Sequence, residues 1–350
     1  MRFAPAPEYQ VFPTGAPPLQ PYVAAVRAAR ETVPLIREVD PDAVVADILT
    51  VAAGMAAELE DRAWVTLVPH VLPMAGRGLP PYSVGAILPR TAAGARLWSL
   101  GRPLLGIGER RGRVELNGAR ERLGLPPLRH LHGGISRRLA LIATFPQLEY
   151  PGPGREPWAR VTGPLLWELP FPDTELPPGD DPLVLVAPST SQDPRQRMLG
   201  AALEGLANEP VRVLATTNRR PPPQPPQPPP GPPNARLVDW ISYAKTMPRC
   251  AAVVCHAGHG TVVRALASGV PVVACPAAGD MAENAARVRW AGVGVSLPRR
   301  FITPRGIRLA VRRVLSDTRY AERARALAEW STRHEGGSVA ADALESSVRP

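Results

Sequence analysis

The chain has 350 residues, 45% of them hydrophobic and 5% aromatic, enough apolar material for two packed α/β domains. Its formal charge is +10, but Lys245 is the sole lysine among 41 basic residues and the arginines are scattered, which argues against a nucleic-acid partner and fits an acidic small ligand. No apolar stretch reaches the about 20 residues that span a bilayer. Met1–Pro5 opens no signal-type apolar run, and Cys250, Cys255 and Cys275 are odd in number without CxxC spacing. The expectation is a cytoplasmic protein with buried free thiols and no stable membrane insertion.

The Pro- and Gly-rich start is irregular up to Pro21. Residues 21–39 then read as a helix, with Val23, Val26, Val33 and Ile36 interspersed with Arg and Glu. Ala43–Ala46 reads as a short buried strand ended by Asp47, residues 50–62 as a small-residue helix, and Val65–Val68 as the next strand. Short apolar strands alternating with helices indicate a parallel α/β layer. Residues 89–123 read as an Arg-rich helical surface, with a site for an acidic substrate or a membrane surface as the alternative. Residues 145–182 are dense in proline and read as an interdomain connection, its linker proper at 171–182.

A second alternation follows. Leu183–Val186 is a strand leading to Ser189-Thr190-Ser191, Asp193-Pro194 opens a helix, and Val211–Leu214 is a strand. Pro221–Pro233 reads as an exposed polyproline-like loop. Ala235–Val238 leads to Asp239-Trp240, and strands also fall at Val270–Cys275 and Gly294–Leu297. Thr303 caps a helix with Pro304 at its first position, and two helical stretches finish the chain. The most informative segment is His256-Ala257-Gly258-His259-Gly260-Thr261, between the apolar run Ala251–Cys255 and the helical run Val262–Ala267. A helix start carries unpaired N–H groups and partial positive charge, so it suits an anion. Gly258 and Gly260 let the backbone approach that anion closely. Ser189, Thr190, Trp240, His256 to Thr261 and Asp280 each follow a strand, where ligands of open parallel sheets bind.

The stretch Asp239–Leu297 resembles the signature region of the GT-B-fold glycosyltransferases that use nucleotide sugars, of the plant and antibiotic-pathway type. The matching residues are His256 through Thr261, Gly269-Val270-Pro271, Pro276, Gly279-Asp280 and Glu283-Asn284-Ala285, with Trp240 at the family's distance before them. The resemblance implies two Rossmann-like domains facing a cleft: residues 1–170 for the acceptor, 183–335 for the nucleotide sugar, and 336–350 as a C-terminal helix. It implies that His256 and the N–H groups of Gly258, His259, Gly260 and Thr261 hold the diphosphate. Ser189 and Thr190 add hydroxyl donors, Trp240 and the Ile241 backbone meet the nucleobase, and Asp280, Met281 and Asn284 face the sugar. The donor is a UDP- or dTDP-sugar, the acceptor a hydrophobic small molecule, and no metal or other cofactor is required. A homodimer or an auxiliary protein is the macromolecular partner considered. Two positions depart from the family pattern. Arg264 stands where an acidic residue commonly binds ribose, and Met281 where Gln is common. Bland alternatives remain open: His259 as an exposed loop residue, Asp280 as only a helix cap, Trp240 as core, and Ser189-Thr190-Ser191 as a cap cluster.

The front of the chain departs further. Family members open on a strand and Gly-rich loop carrying the His that deprotonates the acceptor, and nothing before Pro21 reads that way, so the first domain is expected to be incomplete at its N-terminus. Ala43–Asp47 resembles the strand whose terminal Asp orients that His, which makes Asp47 the catalytic candidate without an evident partner; its alternative is a turn residue. His70 is the one nearby histidine that could substitute, ahead of His130 and His132. The leading expectation is an inverting hexosyl transfer to a hydroxyl. A non-catalytic nucleotide-sugar-binding remnant or auxiliary protein is the alternative, and a GT-B-type sugar-nucleotide epimerase is a third class.

Overall fold

The computed structural model describes residues 21–348 except 75, 77, 131–133, 152–155, 190–192, 194, 219–231 and 278–279. Thr190, Gly279, His132 and most of the proline tract therefore lie outside the described residues. The first half runs α1 (Pro21–Val39), β1 (Ala43–Asp47), α2 (Val51–Leu59), β2 (Ala63–Val68), α3 (Ala92–Leu105), α4 (Ile107–Arg122), β3 (Ala140–Ile142) and β4 (Ala159–Val161). Its strands form one parallel sheet in the order β1-β2-β3-β4. The expected connector over 145–182 is thereby corrected, because β4 lies inside it. Strands of three residues flanked by prolines carry too little apolar pattern to be read from sequence.

The second half runs β5 (Leu183–Ala187), α5 (Arg197–Leu206), β6 (Arg212–Thr216), β7 (Ala235–Val238), α6 (Tyr243–Thr246), β8 (Ala252–Cys255), α7 (His259–Ala267), β9 (Val272–Ala274), α8 (Met281–Ala291), β10 (Gly294–Ser296), α9 (Pro304–Ser316), α10 (Thr318–Arg333) and α11 (Gly336–Val348). Its six strands are all parallel, in the order β7-β6-β5-β8-β9-β10. The chain winds outward from β5 to β7, then returns to the other side at β8. That reversal opens a crevice outside the carboxyl ends of β5 and β8, the place where such sheets take ligands.

Helices cover both faces of this sheet, which explains why its strands read as unbroken apolar runs. Leu183 and Leu185 of β5 pack with α7, α8 and α10, while Val184 and Val186 pack with α5 and α9. Burial of each such side chain contributes about 1.5–3 kcal/mol. Val71, Phe145 and Leu148 of the first half belong to the same apolar cluster as Leu185 and Val253. The helix α11 returns to the first sheet, with Ala343 against Val65, Leu139 and Leu141. The two layers are thus joined by apolar packing as well as by the connecting chain. Cys255 and Cys275 are fully buried free thiols and Cys250 is half-buried; burial pushes the thiols of Cys250 and Cys255 up to about 12. Thr303 caps α9 as expected, its hydroxyl accepting the Gly306 N–H at 3.1 Å.

The α5–α9 contact is close because Gly205 lacks a side chain. A Cβ there would lie 2.3 Å from the Pro304 carbonyl oxygen, whereas a Cβ at Gly200 of the same helix meets nothing within 4 Å. Gly205→Ala is expected to destabilise the protein by about 1–3 kcal/mol through overpacking. Gly200→Ala is expected to leave stability unchanged or raised, since it removes a helix-interior glycine. Urea unfolding midpoints of the two variants measure the difference, and equal midpoints would contradict it.

Candidate donor site at the switch point

A cavity of about 490 Å³ occupies the crevice outside β5 and β8. Ser189 enters it from the β5 end, Asn218 from the β6 end, Trp240 and Ile241 from the β7 end, and His256, Gly258, Gly260 and Thr261 from the β8 end. The structure therefore brings the candidates Ser189, Trp240, Ile241, His256, Gly258, Gly260, Thr261 and Met281 into one cavity, with Asn218, which the sequence did not single out. It also supplies lining residues that sequence reading missed: Leu165, Leu166, Trp167 and Glu168 of the connector, and Tyr243 of α6.

The turn between β8 and α7 is set by Ala257, which adopts a left-handed backbone (φ 61°) and aims the start of α7 into the cavity. The first intrahelical bond is Val262 N–H to Gly258 O at 3.0 Å. The N–H groups of His259, Gly260 and Thr261 therefore precede any intrahelical acceptor, at the partly positive end of the helix that suits an anion. Neither Gly258 nor Gly260 needs a positive φ, and a Cβ at either would meet no atom within 4 Å. Neither packing nor backbone strain requires glycine at these positions, and both residues line the cavity.

His256 is 3% exposed, and its ring is held by the protein. Nδ1 accepts the Ser189 N–H at 2.8 Å, and Nε2 lies 3.3 Å from the Asp193 carboxylate. In this arrangement the ring fixes the β5 loop to the β8 loop. Ser189 faces it with its backbone N–H. The Thr261 hydroxyl and Asn218 both bond Tyr243, whose own hydroxyl is pushed up by burial. Trp240 is 39% exposed at the cavity edge, and its loop is tied to β6 by Thr216 Oγ1 to Asp239 O at 3.1 Å and Thr217 Oγ1 to Asp239 Oδ1 at 3.2 Å. Arg264 turns to the connector, donating to Trp167 O at 3.2 Å and standing 3.8 Å from Glu168, whose carboxylate also accepts the Ala244 N–H at 3.1 Å.

Asn284 is 2% exposed and joins three candidate segments. Its amide donates to Ala257 O at 3.0 Å and to Asp280 Oδ2 at 3.1 Å, and its oxygen faces His259 Nδ1 at 3.2 Å. Asp280 makes no side-chain cap to α8, so the cap-only alternative is set aside. The alternative that made His259 an exposed loop residue is set aside: it is 7% exposed, and its Nε2 lies 3.3 Å from Ala143 O of the first half. Asp47 ends β1 in a turn, accepting the Leu49 N–H at 2.8 Å; burial raises its carboxyl, while that bond and the nearby His70 charge oppose the rise.

Burial lowers the His259 ring to about 4 against the opposing pull of its Asn284 and Ala143 acceptors. A neutral ring has one proton for two acceptors, so one contact lacks a hydrogen. The folded value lies below the unfolded 6.5, so the unfolded state binds the extra proton between these values. Stability is therefore lost as pH falls from about 6.5 toward 4. Between pH 7 and 5 the protein is expected to lose about 2 kcal/mol that a His259→Gln variant retains. Urea midpoints at the two pH values measure this, and parallel losses in both proteins would contradict it.

A family profile described as "Erythromycin biosynthesis protein CIII-like, C-terminal domain" matches residues 226–339. The chain is 34% identical over 239 residues to 4'-demethylrebeccamycin synthase of Lentzea aerocolonigenes, covering 65% of this chain and 55% of that protein. It is 32% identical over 176 residues to a PGL/p-HBAD biosynthesis glycosyltransferase of Mycobacterium tuberculosis, covering 49% of this chain and 39% of the other. The chain thus spans about half the length, or less, of these curated relatives. Among solved structures, the glycotransferase of kitacinnamycin superimposes with a TM-score of 0.72 at 20% identity, covering 97% of this chain and 86% of that one. The calicheamicin glycosyltransferase CalG4 does so with a TM-score of 0.68 at 25% identity, covering 93% and 77%. With two parallel α/β layers around a switch-point cavity, the chain has the GT-B fold of these glycosyltransferase structures.

Proposed function

We propose that the chain transfers a hexose-type sugar from a UDP- or dTDP-sugar to a hydroxyl of a hydrophobic natural-product or lipid acceptor, with inversion at the sugar carbon. The observation that carries this reading is the open N-terminus of α7 in the switch-point cavity, where Gly258 and Gly260 leave room that no protein atom fills. Glycosyl transfer puts developing negative charge on the leaving diphosphate, and fixed N–H donors stabilise it without reorganisation. The N–H groups of His259, Gly260 and Thr261 take that role, and His256 holds the Ser189 N–H beside them. Trp240 and the Ile241 backbone meet the nucleobase, Asp280 and Met281 face the sugar, and Asn284 orients Asp280. Thr190, outside the described residues, is assigned to the same loop on the resemblance alone. No separate cofactor enters this reading.

A second reading is favoured by Asp47, whose carboxylate accepts the Leu49 N–H in its own turn. In that reading the chain binds nucleotide sugar without turning it over. Calorimetric titration with UDP, dTDP and their glucose conjugates, followed by product analysis, separates the two: binding without transfer or hydrolysis selects the second. For either reading, Gly260→Leu is expected to fold with an unchanged melting temperature and to bind UDP or dTDP at least tenfold more weakly, about 1.4 kcal/mol. Unchanged affinity in that variant would remove the anion seat from α7.

A further inference from the structure

We propose that the first half carries a second ligand site, separate from the donor cavity, for a small molecule with an anionic head and an apolar body. The site is a cavity of about 410 Å³ at the amino ends of the first sheet. Arg62, Arg137 and Arg138 bring positive charge to it, and Trp64, Leu128 and Ile135 form its apolar wall.

Residues far apart in the chain meet here because the strands are parallel. Arg62 precedes β2, Arg137 and Arg138 precede β3, and Trp158 precedes β4, so the register sets three strand starts side by side. Ser136 clamps the middle one. Its N–H donates to Thr66 Oγ1 at 2.8 Å, its hydroxyl donates to the Trp64 carbonyl at 2.8 Å, and its oxygen accepts the Arg138 N–H at 3.2 Å. Ser136 is buried, so water does not compete for these bonds. The backbone that bears two successive arginines is thereby fixed to β2.

The charge balance favours an anion. Asp61 is the acidic member among the described lining residues. Arg62 pairs with Asp40. Arg138 Nη1 donates instead to the Ser347 carbonyl at 2.5 Å, a neutral acceptor that leaves its charge uncompensated across that bond. The Arg137 guanidinium lies 4.2 Å from the Trp158 ring centroid, and burial lowers it from its ordinary value against the opposing pull of Glu156. A cation laid on a ring and partly stripped of water is held in place, and an anion beside it offsets the lost solvation. Arginine forks present paired N–H groups that match carboxylate or phosphate oxygens. The wall of Trp64, Leu128 and Ile135 gains only when an apolar body covers it, which selects against a bare inorganic ion.

The site does not depend on the donor reading. The donor cavity lies at the carboxyl ends of the second sheet, this one at the amino ends of the first, and the two share no lining residue. It does touch the end of the chain. The carbonyl that accepts from Arg138 belongs to the last turn of α11, whose Ala343 packs with Val65, Leu139 and Leu141. An occupant that draws on the Arg138 fork therefore acts on the contact that ties α11 to the first sheet.

The test titrates the full chain calorimetrically with 2-naphthyl phosphate and with 2-naphthoate, in the presence of saturating UDP. A single molecule of at least one probe is expected to bind per chain. Pyrophosphate and 2-naphthol, which each lack one half of the probe, are expected to bind about tenfold more weakly or worse under the same conditions. Arg137→Gln and Arg138→Gln are each expected to weaken the probe by about tenfold, the loss of a charge-assisted pair. Arg137→Gln leaves the α11 contact in place and is expected to melt with wild type, so it decides the matter if Arg138→Gln unfolds. Failure of both probes to bind at millimolar concentration overturns the site, as does binding that Arg137→Gln leaves unchanged or that UDP abolishes. UDP binding is measured separately. A chain that binds the probe but not UDP keeps this site and loses the donor reading, and the reverse result loses this site alone.

Discussion

The buried amide of Asn284 is the interaction on which the candidate site depends. One side chain donates to the Ala257 carbonyl and the Asp280 carboxylate and accepts from His259. It therefore fixes, at once, the left-handed turn that aims α7, the first residue of that helix, and the carboxylate ahead of α8. A 2% exposed amide is stable only when its polar atoms are paired, because an orphaned buried donor costs about 1–3 kcal/mol. The requirement works both ways. The amide needs its partners, and each partner is thereby confined to one position relative to the others. Preorganisation of the anion seat follows from satisfying a buried polar group.

The same logic extends across the cleft. His259 carries the Asn284 network to the Ala143 carbonyl at the end of β3. A second bridge is built on Arg287, which pairs with Glu283 at 2.7 Å, donates to the Leu148 carbonyl at 3.0 Å and stacks over the Tyr150 ring at 3.4 Å. Glu149 stands 3.9 Å from the same guanidinium and accepts the Leu72 N–H at 2.7 Å, which ties the segment after β2 to α8. These contacts sit on an apolar seam containing Val71, Phe145 and Leu148. Apolar burial supplies non-directional adhesion between the halves, and the polar bridges define the register in which they meet.

Legibility from sequence followed the strength of the local pattern. Strands with continuous apolar runs, such as β5 and β8, and helices with clear caps, such as α9, could be read directly. The strands β3 and β4 could not, because three residues are too few to show a period, and prolines at 157 and 164 crowd β4. The site shows the same division. The strand end and helix start at His256 to Thr261 could be read because strand, glycines and helix adjoin in sequence. The cavity wall at Leu165–Glu168 was hidden, since a connector reaches the cavity only through the fold. Arg264 illustrates the limit: the sequence marked it only as a departure from the family pattern, and the fold shows its guanidinium meeting the Trp167 carbonyl and Glu168 from that connector. The ring contacts of His256 were equally invisible, for they depend on β5 and β8 lying side by side.

The proposed transfer, with the leaving group held at the second sheet and the acceptor at the first, has a physical consequence. Direct displacement requires the nucleophile and the leaving group on opposite sides of the reacting carbon, so no single loop can serve both. The carboxyl ends of the two parallel sheets provide two facing sets of strand termini, one with the N-terminus of α7 and one with the end of β2. Catalytic geometry then depends on the separation of the halves, and a misplacement of about 1 Å can cost about 10²-fold in rate. The contacts that set this separation, His259 to Ala143 and Arg287 to Leu148, do not have to touch the reacting atoms to govern the reaction. Under the proposed function, the buried polar groups between the halves thus matter to transfer as much as the residues lining the cavity.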